Sequence, residues 1–282
     1  MRYFCGIETE SALLENAQVL LQSIAYDGTS TWGKGADKGF GAFMDALDNM
    51  EVYDLETHNE VYRKGIHILD ELNGFKSPEE MVQSVFDRTK RMLALGRFPT
   101  FFGGEHSVSI GVIRAMRDSY KKLSVLQIDA HADLRPTYMG SPYNHACALH
   151  ESSKHDTLVQ VGIRSADKEE MRNAQKGNVF FAQGMVGHSE WMQNSIDRLG
   201  MKVYLTIDLD AFDPSILPAT GTPEPGGIGW YDMLTYLKMI FDQREVVGFD
   251  IVELAPIEGE PSSEFLVAKL YYKMLTYKFL NS

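Results

Sequence analysis

Leu123-Ser124-Val125-Leu126-Gln127-Ile128-Asp129-Ala130-His131-Ala132-Asp133 is an apolar run that ends in alternating acids and an imidazole. Its near-continuous apolar character predicts a strand over Leu123–Ile128 that is buried on both faces. Residues two apart in an extended chain point to the same side. A strand end of this kind aims Asp129, His131 and Asp133 at one point. Outward from it the design recurs. Phe98–Phe102 runs into Gly103-Gly104-Glu105-His106-Ser107, and Val246–Val252 ends at Glu253. Val203–Leu209 carries Asp208, then Asp210, and continues as Ala211-Phe212-Asp213-Pro214. Thr157–Ile163 and Val179–Phe181 read as further buried strands, and Gln22–Tyr26 as a short strand before the Gly-rich segment Asp27–Gly41.

Helical patterns lie between these runs, at Val108–Tyr120, Lys168–Lys176, Ser189–Leu199, Tyr231–Asp242 and Ser262–Phe279. The clearest helix start is Ser77-Pro78-Glu79-Glu80: a Ser N-cap, Pro at the first helical position and Glu three residues on. Met81, Val85, Met92 and Leu95 carry that helix to Gly96 at helical spacing. Alternating strands and helices predict an α/β fold with a mostly parallel central sheet. Such sheets bind ligands beyond the carboxyl ends of their strands, where the acids and imidazoles of this sequence collect.

Composition narrows the function. The chain has 282 residues, 44% of them hydrophobic and 23% charged, an ordinary globular mix that excludes a disordered, collagen-like or coiled-coil chain. There is no internal repeat or low-complexity tract, and no apolar run long enough to predict a membrane span. The formal net charge of −12 disfavours nucleic acid and anionic membrane as partners and tolerates a small cationic molecule. The opening MRYFCGIETE places acids where a signal peptide needs its apolar core. Two cysteines cannot build a disulfide framework, so the expected compartment is the cytoplasm.

His106, Asp129, His131, Asp133, Asp208 and Asp210 make two imidazoles and four carboxylates at three strand ends. One such acid pair would read as helix capping, but the whole set needs a compensating cation, because close carboxylates repel and take up protons. The set lacks cysteine, which argues against thiolate zinc. Its carboxylates favour a hard or borderline divalent ion, Mn²⁺ ahead of Zn²⁺. So much negative charge suits two ions, and two cations sharing one water bring its pKa near neutrality. The chemistry indicated is hydrolysis.

These motifs resemble the ureohydrolase family, the arginases, agmatinases and their relatives. The resemblance rests on Gly103–Ser107, Asp129–Asp133 and Thr206–Pro214, extends through Pro218–Pro223 and Gly226-Gly227, and covers essentially the whole chain. It implies a three-layer α/β/α arginase-like fold, one domain over residues 1–282, and a homo-oligomer, trimeric or hexameric. It also implies a binuclear manganese site with two Mn²⁺ per chain. His106, Asp129, Asp133 and Asp208 would hold one ion, and Asp129, His131, Asp208 and Asp210 the other, with Asp129 and Asp208 bridging. Glu253 matches the carboxylate that grips the substrate guanidinium, and His145 the histidine that shuttles protons to the departing amine. Asp133 would also orient the nucleophile.

Within the family, Asp133-Leu134-Arg135 and Tyr143-Asn144-His145-Ala146-Cys147 look like the substrate loop of bacterial and archaeal agmatinases. The expected reaction is agmatine to putrescine and urea. Guanidinobutyrase, aminopropylagmatine ureohydrolase, guanidine hydrolase, formimidoylglutamase and arginase are the alternatives within the family. A non-catalytic guanidinium binder and a one-zinc deacetylase are the alternatives outside that chemistry. Three places depart from the family pattern: Glu105 replaces a frequent Asp, Ala148–Glu151 an often Arg-rich stretch, and Trp32-Gly33-Lys34-Gly35 an Arg-Pro-Gly-like rim. Gly28–Gly35 nearly spells a phosphate-binding loop, but Gly35 stands where Ser or Thr must reach Mg²⁺. His150, His155 and His188 read as non-ligands, and Cys147 as a small buried hydrophobe.

Overall fold

The computed structural model describes residues 2–280. In chain order the elements are β1 Val19–Ser23, α1 Gly39–Leu47, β2 Ile66–Ile68, α2 Pro78–Ala94, β3 Phe98–Phe102, α3 Val108–Ser119, β4 Ser124–Ile128 and α4 His150–His155. They continue as β5 Thr157–Ile163, β6 Val179–Phe181, α5 Glu190–Ile196, β7 Lys202–Asp208, α6 Trp230–Gln243, β8 Glu245–Val252 and α7 Ser262–Lys278. The strands form one sheet in the order β2-β1-β3-β8-β7-β4-β5-β6. Every pairing is parallel, so the sheet is wholly rather than mostly parallel.

Helices cover both faces, giving the expected three layers. One apolar core packs Phe43, Met44, Trp191, Ile196, Leu237 and Leu270, from α1, α5, α6 and α7, against one face. The other core packs Met81, Val85, Ile110 and Ile113, from α2 and α3, against the opposite face. With both faces covered, Val125, Leu126 and Ile128 of β4 and Val203, Leu205 and Ile207 of β7 are fully buried. That accounts for the unbroken apolar runs in the sequence.

Several boundaries moved for local reasons. The Ser77 hydroxyl accepts from the Glu80 amide at 3.2 Å, as an N-cap should. The Glu80 carboxylate reaches back to the amide of Lys76, one residue beyond the cap, at 2.9 Å. β1 begins at Val19 and ends at Ser23, while Ile24 makes only a single bridge to Leu72. The predicted helix Lys168–Lys176 is a 3-10 turn at Glu170–Asn173. Glu170 turns inward there, accepting from the Asp167 amide at 2.7 Å and from Arg135 at 3.2 Å. A buried acid that ties the chain to a loop holds it as a turn. The sequence reading passed over α1, β2 and α4, whose short lengths give little periodicity to detect.

Candidate metal centre

The strands that carry the chemical motifs are contiguous in the middle of the sheet, as β3-β8-β7-β4. Their carboxyl ends therefore deliver His106, Glu253, Asp208 and Asp129 to one place. Ile128 and Ile207 pair across β4 and β7, which sets Asp129 beside Asp208 one residue further on.

Alternation along an extended chain holds for Asp129 and His131, whose stretch bridges to Ser165, but it does not aim the other groups, contrary to the expectation from residue spacing. Asp133 has φ of 52° and Glu253 φ of 70°, both in the left-handed region. That conformation is uncommon for residues other than glycine and clusters at functional sites. Asp210 lies in a 3-10 turn, Leu209–Ala211, whose first amide-acceptor contact is the Asp208 side chain taking the Asp210 amide at 2.9 Å. Arg164 fastens this turn from outside, donating to the carbonyls of Asp210 and Glu224 at 2.6 and 2.8 Å.

The six side chains nevertheless converge. His106 Nδ1 is 3.1, 3.0 and 3.3 Å from carboxylate oxygens of Asp129, Asp133 and Asp208. His131 Nδ1 is 2.8 Å from Asp210. Donor atoms of His106, Asp129 and Asp208 all lie within 4.8 Å of one another, and so do those of Asp129, His131 and Asp210. Asp129 belongs to both groups.

Electrostatics report the same crowding. Burial, then Asp210 and Asp133, push the Asp129 carboxyl up to about 7. Burial and the neighbouring Asp210 and Asp129 drive Asp208 well above the carboxylate range. Burial works against protonation of His131, yet Asp210 and Asp129 raise it to about 11. His106 is likewise raised, against its complete burial, by Asp129, Asp133 and Asp208. Imidazoles driven to take a proton among carboxylates are a donor set arranged for positive charge.

One atom tests whether that charge is a metal. Thr206 Oγ1 donates to Asp250 at 2.6 Å and stands 2.9 Å from His106 Nε2. A hydroxyl has one proton, so it accepts from Nε2–H, and Nδ1, which offers a lone pair once a metal rather than a proton neutralises the site, faces the three carboxylates. Nδ1 is buried and makes no hydrogen bond. A buried imidazole lone pair surrounded by acceptor oxygens, with its other nitrogen oriented by a hydroxyl, fits a metal ligand.

Above the cluster is a cavity of about 360 Å³ whose lining includes His106, His131, Asp133, His145, Asp208 and Glu253. Glu253 accepts the His106 amide at 2.8 Å, and burial and Glu105 drive its carboxyl well above the usual range. His145 is held by its amide donating to Thr29 Oγ1 at 3.0 Å. That hydroxyl donates to the buried Glu105 at 2.6 Å. The Thr29 and Ser30 donors of the phosphate-loop-like segment are thus turned onto a carboxylate, and α1 starts only at Gly39. Cys147 is buried, and burial pushes its thiol up to about 12, in keeping with a small buried hydrophobe. His150 Nδ1 contacts the Leu134 carbonyl at 2.9 Å, while His155 and His188 are exposed.

Supporting residues escaped the sequence reading. Gln127 donates to Asp129 at 2.7 Å and to the His131 carbonyl at 3.1 Å. Thr206 and Asp250 stand behind His106. Gln127 and Thr206 each lie two residues before a strand-end acid, so same-face alternation was the available signal. Asp250, an acid in an apolar run, was the other.

Parallel strands bring clustered carboxylates and imidazoles into one cavity of an α/β/α fold, a donor set that could hold metal ions. The chain belongs to the arginase family, the ureohydrolases, whose family model matches residues 17–276. It is similar to the N(1)-aminopropylagmatine ureohydrolase of Synechocystis sp., 37% identical over 273 residues, covering 93% of this chain and 89% of that one. It is similar to the agmatinase of Pyrococcus horikoshii, 27% identical over 272 residues, covering 95% of each. Among solved structures it resembles the agmatine ureohydrolase of Thermoplasma volcanium, with a TM-score of 0.86 and 28% identity, covering 96% of this chain and 94% of that one. Among the described residues no helix is long and apolar enough to cross a membrane.

Proposed function

We propose that residues 1–282 act as one domain that hydrolyses a guanidinium group on an aminoalkyl chain, releasing urea and an amine, with two Mn²⁺ per chain. The observation that carries this reading is the buried, unpartnered His106 Nδ1 facing three carboxylates at the floor of a cavity that also holds Glu253. His106, Asp129, Asp133 and Asp208 would hold one ion, and Asp129, His131, Asp208 and Asp210 the other. When bound, the ions polarise the substrate and lower the pKa of a water enough to make it a nucleophile near neutral pH.

The chain's own residues do the rest. Glu253 pairs with the planar guanidinium, which matches a carboxylate in shape and charge. One Glu253 oxygen is already fixed by the His106 amide, so the carboxylate is oriented before substrate arrives. Asp133 accepts a hydrogen bond from the attacking oxygen and sets its line of approach. His145, positioned by Thr29, passes a proton to the departing amine, a general-acid step worth ~10²–10⁴-fold. The protein would work as a homo-oligomer, trimeric or hexameric, in the cytoplasm.

Agmatine, giving putrescine, is the substrate the loop residues suggest. The names of several relatives favour a second reading, N(1)-aminopropylagmatine. A urea-release screen on manganese-loaded protein with agmatine, N(1)-aminopropylagmatine, arginine, guanidinobutyrate and guanidine tests both. Urea from one of the first two is expected. No urea from any of them, with two ions bound per chain, would replace the enzyme with a guanidinium-binding protein. One zinc per chain would instead favour the deacetylase reading.

A further inference from the structure

The cavity of about 360 Å³ is near the small end for a ligand site and houses a guanidinium with a short tail. A longer tail leaves through the mouth, where Thr31 forms part of the wall. The segment around Thr31 is pinned on both sides. Upstream, the Thr29 amide and the Ser30 hydroxyl donate to Glu105 at 2.8 and 3.3 Å. Downstream, the Gly33 amide donates to the Gly221 carbonyl at 3.1 Å. The approach is close: a Cβ on Gly33 would stand 2.7 Å from that carbonyl, and one on Gly221 would stand 3.6 Å from Glu253 Oε2. The backbone on either side of Trp32 is therefore tied to Glu105 and to Gly221, and Gly221 in turn stands beside the carboxylate assigned above to the guanidinium.

The indole itself is 83% exposed. A single exposed apolar side chain is ordinary, so position must decide. Trp32 adjoins Thr31 of the wall, and among the described residues no ring or cation packs on its face. The aromatic that lines the cavity is already occupied: the Arg135 guanidinium lies over the Tyr138 ring at 4.4 Å. Lys34, the nearest cation in sequence, is drawn to Asp27 at 3.2 Å. What remains is an open tryptophan face on a backbone held at both ends, next in the chain to a residue that lines an acid-bearing cavity. Such a face attracts ammonium groups through its quadrupole and sheds water against methylenes.

We propose that Trp32 is a specificity-determining residue whose indole receives the second ammonium and outer methylenes of a guanidine longer than the cavity. This rests on the ureohydrolase reading and selects, within it, substrates with an extended polyamine tail over agmatine. The aminopropyl extension of N(1)-aminopropylagmatine supplies the added methylenes and ammonium, and agmatine lacks them.

The test compares agmatine and N(1)-aminopropylagmatine on intact manganese-loaded wild type, Trp32→Ala and Trp32→Phe, by urea release and by calorimetric affinity. Cation–π contact predicts that Trp32→Ala lowers the preference for the longer substrate about 2- to 30-fold. Trp32→Phe should recover part of it. An unchanged ratio would overturn the proposal, and an unchanged ratio with altered oligomeric mass would assign Trp32 to a contact between copies. Wild type that binds both guanidines but hydrolyses neither would refute the reaction, and the affinity ratio would then decide on Trp32 alone. Failure to bind the longer guanidine would refute the role of Trp32.

Discussion

Replacing Thr206 with Val removes one oxygen from the centre of a buried relay and keeps the shape of the side chain. That oxygen accepts from His106 Nε2–H at 2.9 Å and donates to Asp250 at 2.6 Å. Thr206, His106 and Asp250 are all essentially inaccessible to solvent. Water cannot take the place of the lost partner. A buried donor left unsatisfied costs about 1–3 kcal/mol, and a hydrogen bond lost to a charged group about 1.5–3 kcal/mol. Asp250 keeps the Tyr204 hydroxyl at 2.6 Å, which limits its share. The sum is about 3–5 kcal/mol, a sizeable part of an ordinary domain's stability. For a chain of this size that lowers Tm by roughly 6 °C or more. Freed from its orienting partner, His106 should also lose about 10- to 100-fold in metal affinity. Thermal unfolding of metal-free protein measures the first effect, and competitive Mn²⁺ titration the second. Thr206→Ser should restore both. A Thr206→Val protein whose Tm stays within about 1 °C of wild type, with unaltered Mn²⁺ affinity, would refute the relay.

Three further outcomes are expected. Asp208→Asn should reduce the metal bound per chain and abolish urea release; near-normal turnover with one ion retained would defeat the two-ion assignment. Glu253→Gln should keep both ions and lose about 10²-fold or more in kcat/KM on guanidinium substrates, as a buried charge partner disappears. Unchanged kcat/KM would free Glu253 of that role. Gly104→Ala should give little soluble protein, because a Cβ there would stand 1.8 Å from the Tyr26 carbonyl oxygen and neither side is a movable side chain. A soluble variant with native Tm would mean that the backbone yields more easily than its packing indicates.

The strands that carry the site were legible with few errors. β3, β5 and β6 have the boundaries read from their apolar runs, and β4, β7 and β8 differ by about a residue. Burial on both faces keeps such a strand mostly apolar, with only a few buried polar residues such as Gln127, Thr206 and Asp250, and the acids mark where it leaves the sheet. Short elements were not legible. Ile66–Ile68 is too brief to establish a period, and the helical pattern of Lys168–Lys176 is overridden by the long-range tie of Glu170 to Arg135.

By itself the sequence determined that carboxylates and imidazoles end successive strands of a parallel α/β fold, because hydrophobic pattern and residue chemistry are written along the chain. It left open which strand ends meet. The order β3-β8-β7-β4 is a matter of long-range pairing, and it brings together residues as far apart as His106 and Glu253. The aiming of the side chains was also decided in three dimensions. Asp133 and Glu253 take left-handed backbone, and Asp210 a 3-10 turn, where strand alternation put none of them. Such conformations are unfavourable locally and persist only because the surrounding structure holds them, so no local pattern announces them.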